Sequence, residues 1–177
     1  MTTMIKIGTS GFSFPDWKGT VYPKKIKQSE MLAYYEQELG FNVCELNYTF
    51  YRLPDPYTME RMSRRVEKDQ LGICVVDEPQ LPRLLPYDPR ATSDLGYFRF
   101  HGRNKLWYSA DSHQRYDYFY SKKELMECLP GIKKVEKQTK KTFAFFNNCF
   151  MGQSAVNAAQ MRELLGIKFS KRSPKLF

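Results

Sequence analysis

The sequence predicts an α/β fold built on a parallel sheet. Three observations carry this. Short runs rich in β-branched and aromatic residues alternate with segments of helical period. The strand-like runs are apolar throughout instead of alternating with polar residues, as strands covered on both faces are. Each run ends in polar residues, where parallel α/β folds collect their chemistry. The chain has 177 residues, 42% of them hydrophobic and 15% aromatic, with 12 Tyr and 13 Phe. That supplies one sizeable core, so a single domain over residues 1–177 is expected and disorder is excluded as the main state.

Met4 to Gly8 reads as the first strand, closed by the turn Thr9-Ser10-Gly11. Ser29 could cap a helix running to Leu39, with Met31, Tyr35 and Leu39 on its apolar face, Leu32 beside them and Gly40 as its stop. Asn42 to Tyr51 reads as a second strand with its exit loop, and Asp55-Pro56 opens a second helix, since Pro fits the first helical turn. Gly72 to Val76 is a third strand, ending in Asp77-Glu78-Pro79; residues 79–94 carry four prolines and no period and form a loop. Tyr97 to Phe100 is the fourth strand, ending in His101-Gly102-Arg103. Ser121 and Glu124 fit a capping box for a helix with Leu125 and Leu129 inside, interrupted at Pro130-Gly131 and followed by a basic helical turn or two. Thr142 to Phe146 is the fifth strand, followed by Asn147-Asn148. Gln153 to Leu165 is the last helix, with Ala158, Met161 and Leu165 inward and Gly166 as its end.

Five strand ends therefore carry polar groups: Thr9 and Ser10, Glu45 and Asn47, Asp77 and Glu78, His101 and Arg103, and Asn147 and Asn148. Their coincidence points to a pocket. Glu45, Asp77 and His101 are the candidate catalytic groups, as proton carriers or, with Glu78, as ligands of a divalent metal that would polarise a phosphoryl oxygen. Arg99 and Arg103 are candidates to hold phosphate oxygens, and the amides of Thr9, Ser10 and Gly11 to form an anion nest. Asn47, Asn147 and Asn148 would orient a substrate. Trp17, Tyr116 and Gln153 complete the ligand-binding candidates. The stretch Trp107-Tyr108, Arg115, Tyr116, Tyr118, Phe119 and Tyr120 could stack on bases or sugars, or pack the loop and helix onto the sheet. Thr9-Ser10-Gly11 is neither a nucleophile elbow nor a Walker loop, which disfavours a serine hydrolase and a nucleoside triphosphatase. No Rossmann glycine fingerprint is present.

With 28 Lys+Arg against 19 Asp+Glu the net charge is +9. Much of the excess lies at Lys133, Lys134, Lys137, Lys140 and Lys141, and at Lys168, Lys171, Arg172 and Lys175. Such runs are either solvated faces or a nucleic-acid patch. Cys44, Cys74, Cys128 and Cys149 form no C-x-x-C pair, so zinc ribbons and redox motifs are disfavoured and reduced thiols are expected. No apolar run approaches the ~18 residues of a membrane span, and no secretory leader is evident, so a cytoplasmic protein with no membrane partner is expected.

Several segments together resemble one family. Ile7-Gly8-Thr9-Ser10-Gly11-Phe12, Trp17-Lys18-Gly19 and Tyr22-Pro23 resemble the opening of the YecE-like proteins, the domain of unknown function 72 (DUF72). Glu45-Leu46-Asn47-Tyr48-Thr49-Phe50-Tyr51 resembles its second strand. Tyr97-Phe98-Arg99-Phe100-His101-Gly102-Arg103 and Arg115-Tyr116-Asp117-Tyr118 resemble its central segments. Phe145-Phe146-Asn147-Asn148 and Gly152-Gln153-Ser154-Ala155 resemble its close. The resemblance implies a TIM-type (β/α) barrel. A closed barrel takes about 250 residues, whereas this chain offers about five strands, so an incomplete barrel is expected. The family pattern is interrupted near 68–71, where roughly three βα units are missing on the eight-unit plan of the barrel. Open sheet edges would then be covered by self-association. The function expected is a pocket for a phosphate-containing ligand, either a phosphorylated small molecule or nucleic acid. Metal-assisted phosphoesterase activity, a non-catalytic binding protein and an inactive shortened paralogue remain open.

Overall fold

The computed structural model describes residues 4–41, 43–44, 72–111 and 114–168. Among these the backbone forms four strands, β1 (Met4–Thr9), β2 (Cys74–Asp77), β3 (Leu95–Phe100) and β4 (Lys141–Phe146). All pair in parallel, in the order β1-β4-β3-β2, as an open sheet. Three helices accompany them: α1 (Gln28–Gln37), α2 (Lys122–Glu136) and α3 (Gln153–Leu164). The apolar runs thus become parallel strands. The strand expected at 42–51 and the helix expected from Asp55 lie outside the described residues.

Register sorts the strand residues onto two faces, because partners in adjacent strands share a side and successive residues alternate. Thr9, Phe146, Phe100 and Asp77 form one row. Phe100 stacks on Phe146 at 4.6 Å, and the Tyr120 ring stands edge-on to both. This is the face covered by helices. Tyr35 of α1 reaches Thr9, whose N–H donates to the Tyr35 hydroxyl at 3.0 Å. Val135 of α2 lies so close to β3 that a Cβ at Gly96 would come within 2.7 Å of it. Ala155, Ala158 and Met161 of α3 are buried on the same core. The other face carries Tyr97 and Phe145, in ring contact at 5.3 Å, then Arg99, and then the polar residues just past the strand ends.

Three local expectations change. Helix α1 begins at Gln28, after Lys27, whose N–H donates to the Glu30 carboxylate at 2.9 Å. Ser29 therefore sits inside the first turn and does not cap. Met31 and Tyr35 are buried as expected, but Leu32 is 54% exposed. Most consequential, α2 runs through Pro130-Gly131 as one helix, where an interruption was expected. Its capping box forms: the Ser121 hydroxyl accepts the Glu124 N–H, and the Glu124 carboxylate accepts the Ser121 N–H. Leu125, Cys128, Ile132 and Val135 are buried on either side of the proline. Pro130 faces solvent, and Gly131 packs against Tyr87 and Pro89 of the 79–94 loop. A mid-helix proline costs about 3 kcal/mol, and burial of the flanking residues offsets it.

Candidate functional site at the C-terminal strand ends

The sheet ladder continues one residue beyond the strands. Ser10 N–H donates to Phe146 O at 2.9 Å, Asn147 N–H to Phe100 O at 2.8 Å, and His101 N–H to Asp77 O at 2.8 Å. Ser10, Asn147 and His101 are thereby set side by side, with Glu78 next in register. These four come from four different strand ends, and the backbone fixes their spacing.

On the face away from the described helices, the Asn147 and His101 side chains meet, and Ser10 meets Arg99. Asn147 Nδ2 donates to His101 Nδ1 at 2.8 Å. With the Asn147 amide in this orientation its N–H points at Nδ1, the arrangement of a neutral imidazole with its proton on Nε2. Burial, and then the nearby Arg99 charge, push His101 down to about 3. Arg99 lies one step deeper, 5% exposed, and its guanidinium donates to the Ser10 hydroxyl at 3.4 Å. Trp107 and Tyr116 close over the imidazole, each with its ring centre 6.1 Å from it, and meet each other nearly edge to face at 5.7 Å. The Arg115 guanidinium lies over the Trp107 ring at 5.6 Å. Glu78 is buried, and one of its oxygens accepts the Leu85 N–H at 2.7 Å. Burial raises this carboxyl above its ordinary range, and the Asp77 charge adds to the rise.

Asp77 and Arg103 are placed elsewhere. The Asp77 carboxylate is 1% exposed and takes a bidentate contact from Arg103, Nε to Oδ1 at 2.9 Å and Nη2 to Oδ2 at 2.7 Å. The Tyr120 hydroxyl donates to Oδ1 at 2.7 Å. Arg103 is held further by Glu127 at 3.4 Å and Glu124 at 3.9 Å. These partners all belong to α2 or the residues leading into it. The pair is a buried staple between β2 and α2, and its side chains share no partner with His101. The arginine fork that could have held a phosphate is closed on Asp77.

The remaining candidates divide similarly. Trp17 is fully buried, its indole N–H donates to Cys149 O at 2.8 Å, and its ring packs on Phe14 and Tyr22; it belongs to the core. The anion nest does not form as expected, since the Thr9 amide is taken by Tyr35 and the Ser10 amide by Phe146. Thr9 instead donates its hydroxyl to Gly11 O, and Gly11 takes a φ of 86°, which closes this turn. Asn148 is fully buried and ties Tyr118 O to Asn157, with its own Oδ1 unpartnered. Gln153 donates to the Asp117 carboxylate at 2.8 Å. Glu45 and Asn47 lie outside the described residues.

Two features were not legible in advance. Asn157 anchors the site's supporting loop: its Oδ1 accepts the Tyr120 N–H, and its Nδ2 donates to Tyr120 O at 2.9 Å. The sequence marked Asn157 only as part of the segment Asn157-Ala158 that resembles the family's close, with no sign of this role. Glu127 closes on Arg103, and only its position three residues after the capping-box Glu124 hinted that both would line one helix face.

Among the described residues no three His, Cys, Asp or Glu side chains come together as a metal site would need. None of the four cysteines is joined in a disulfide, and burial pushes the Cys128 and Cys149 thiols up to about 12, which keeps both protonated near neutral pH. Among the described residues no helix is long and apolar enough to cross a membrane. Lys133, Lys134, Lys137, Lys140 and Lys141 are exposed at the end of α2 and the start of β4. Lys141 lies at the opposite end of the sheet from His101, about 20 Å along the strand direction, and the others cluster beside it.

The chain is similar to known proteins over most of its length. The sequence pattern described as "Protein of unknown function DUF72" matches residues 6–70 and 65–176. UPF0759 protein YunF of Bacillus subtilis (strain 168) is 30% identical over 172 residues, which are 93% of this chain and 60% of YunF. This chain thus spans well under two thirds of that relative. The crystal structure of the DUF72 family protein TM1631 of Thermotoga maritima superposes with a TM-score of 0.80 at 29% identity, covering 92% of this chain and 99% of that one. A DUF72 family protein of Enterococcus faecalis, EF0366, gives a TM-score of 0.58 at 28% identity, covering 84% of this chain and 57% of the other. With a family pattern matched along both halves and an open parallel sheet superposing on family structures, this chain belongs to the DUF72 family.

Proposed function

We propose that the row Ser10, Asn147, His101 and Glu78, with Arg99 beneath it, is a binding site for a phosphate-containing ligand. The observation that carries this reading is the neutral, oriented imidazole. Asn147 occupies His101 Nδ1 at 2.8 Å, which leaves Nε2–H as the ring's donor, in a site where Trp107 and Tyr116 pack against the ring. A fixed donor beside a buried guanidinium suits an oxyanion better than a cation. Binding is favoured over hydrolysis. Asp77 is consumed by Arg103 and Tyr120, which removes it as a base or metal ligand. A metal-assisted phosphoesterase would have to draw on Glu78, His101 and Glu45, and acid–base chemistry on Glu78, whose raised carboxyl suits a proton carrier. Nucleic acid is the weaker partner, because the described lysine cluster lies at the far end of the sheet.

The helix-covered and helix-free faces support an incomplete (β/α) barrel in which this row lines the inside, over a single domain whose family pattern breaks near 68–71. A cytoplasmic location and self-association through the sheet edges belong to the same reading. The test of the site is calorimetric titration of the full chain with sugar phosphates and nucleoside monophosphates. Binding of at least one class, weakened at least tenfold by His101→Gln, is the expected result. Equal binding by the variant contradicts the site.

A further inference from the structure

We propose that Arg115 is the residue that takes the charged oxyanion of the ligand at the rim of this site; the inference rests on the binding reading above. Three observations converge on it. First, Arg115 has an unused donor. Its Nε is shielded from solvent and has no hydrogen-bond partner. Buried donors are almost always satisfied, so an orphan guanidinium N–H beside a pocket marks a missing partner.

Second, the guanidinium is held in place. It stacks over Trp107 at 5.6 Å, and Trp107 in turn packs edge-on against His101 at 6.1 Å and Tyr116 at 5.7 Å. Stacking fixes the plane of the fork and leaves its in-plane N–H groups free to bind an oxyanion in bidentate fashion. Third, its neighbours are committed. Arg103 is closed on Asp77 and flanked by Glu124 and Glu127. Asp117, two residues beyond Arg115, accepts the Gln153 amide at 2.8 Å. Arg99 is 5% exposed, below the row, whereas Arg115 is half-buried at its edge. The fork fits a phosphate ester or a carboxylate alike, and the experiment tells the two apart.

The test titrates the full chain with inorganic phosphate and, separately, with acetate at constant ionic strength, following tryptophan emission. Trp17 is buried in the core with its N–H bonded, so a change reports Trp107. The expected result is saturable binding of at least one ion, weakened tenfold or more in Arg115→Gln and partly recovered in Arg115→Lys, which keeps the charge and loses the fork. The ion that binds identifies the oxyanion class. Should Arg115→Gln fold poorly, Arg115→Lys alone still decides, through weaker binding at an unchanged melting midpoint. Equal affinity in wild type and either variant overturns the inference, as does failure of wild type to bind either ion. If His101→Gln weakens phosphate-ester binding while Arg115→Gln leaves it unchanged, this inference falls and the site reading stands. If neither variant has an effect, both fall.

Discussion

At the scale of single residues, the chain separates two histidine- and carboxylate-bearing strand ends into different tasks. Asp77 and His101 are joined through their backbones, yet one side chain staples α2 and the other faces the candidate pocket. Asp77→Asn is expected to destabilise the protein by about 3 kcal/mol, because Arg103 is left without its buried counter-charge. Replacing both partners together, as Asp77→Leu with Arg103→Met, should recover much of that loss; urea midpoints measure both. His101 gives a pH prediction. Its folded value of about 3 lies below the ordinary 6.5, so the folded state binds fewer protons. Its contribution to stability is complete above about pH 6.5 and is lost as pH falls toward 3. Urea midpoints should therefore drop between pH 7 and 4.5, and the drop should shrink in His101→Gln. Glu124, held low by its hydrogen bonds and by Arg103 against the opposing effect of burial, keeps some acid sensitivity in the variant, whereas Glu78 opposes it. That Asp77 and His101 both end strands could be read from the sequence. Which face each takes could not, since it depends on register with strands distant in the chain.

At the scale of elements, the apolar runs announced the strands, and the capping box Ser121–Glu124 announced the start of α2. The end of α2 was hidden. Pro130-Gly131 is a strong local stop, and only the burial of Ile132 and Val135 against β3 and β4 carries the helix through it. This makes a direct prediction. Pro130 is exposed and lacks an N–H, so Pro130→Ala restores a helical hydrogen bond without disturbing the core and should raise stability by up to about 3 kcal/mol in thermal or urea melts. Gly96→Ala should do the opposite, because its new methyl would meet Val135 and Thr142 at under 3 Å and push α2 off the sheet. A loss of about 1–3 kcal/mol is expected. The wall of Trp107, Arg115 and Tyr116 over His101 was legible only as an aromatic stretch with an arginine in it. Its closure on the imidazole comes from a loop that no periodicity describes.

At the scale of the whole molecule, the distribution of charge and of faces decides the class of partner. The described basic cluster lies on the solvated end of α2, and the candidate pocket lies beyond the other end of the strands. Ligand binding at the His101 row should therefore change little between 50 and 200 mM salt, whereas duplex binding driven by many phosphate contacts would fall by about 10³ or more over that range. The chain spans 60% of YunF, and its described strands form an open sheet. If its edges are covered by a second copy, sedimentation should give a dimer mass, and a monomer mass would contradict self-association. The central claim is that His101 is a neutral, fixed donor of a ligand site. The chain holds two histidines, His101 and His113, so long-range ¹⁵N–¹H spectra resolve each imidazole. One ring should stay in the Nε2–H form down to pH 4.5, its signals should disappear in His101→Gln, and they should shift when a phosphate ester is added. A His101 ring that titrates near pH 6.5 and ignores every phosphate ester would contradict it.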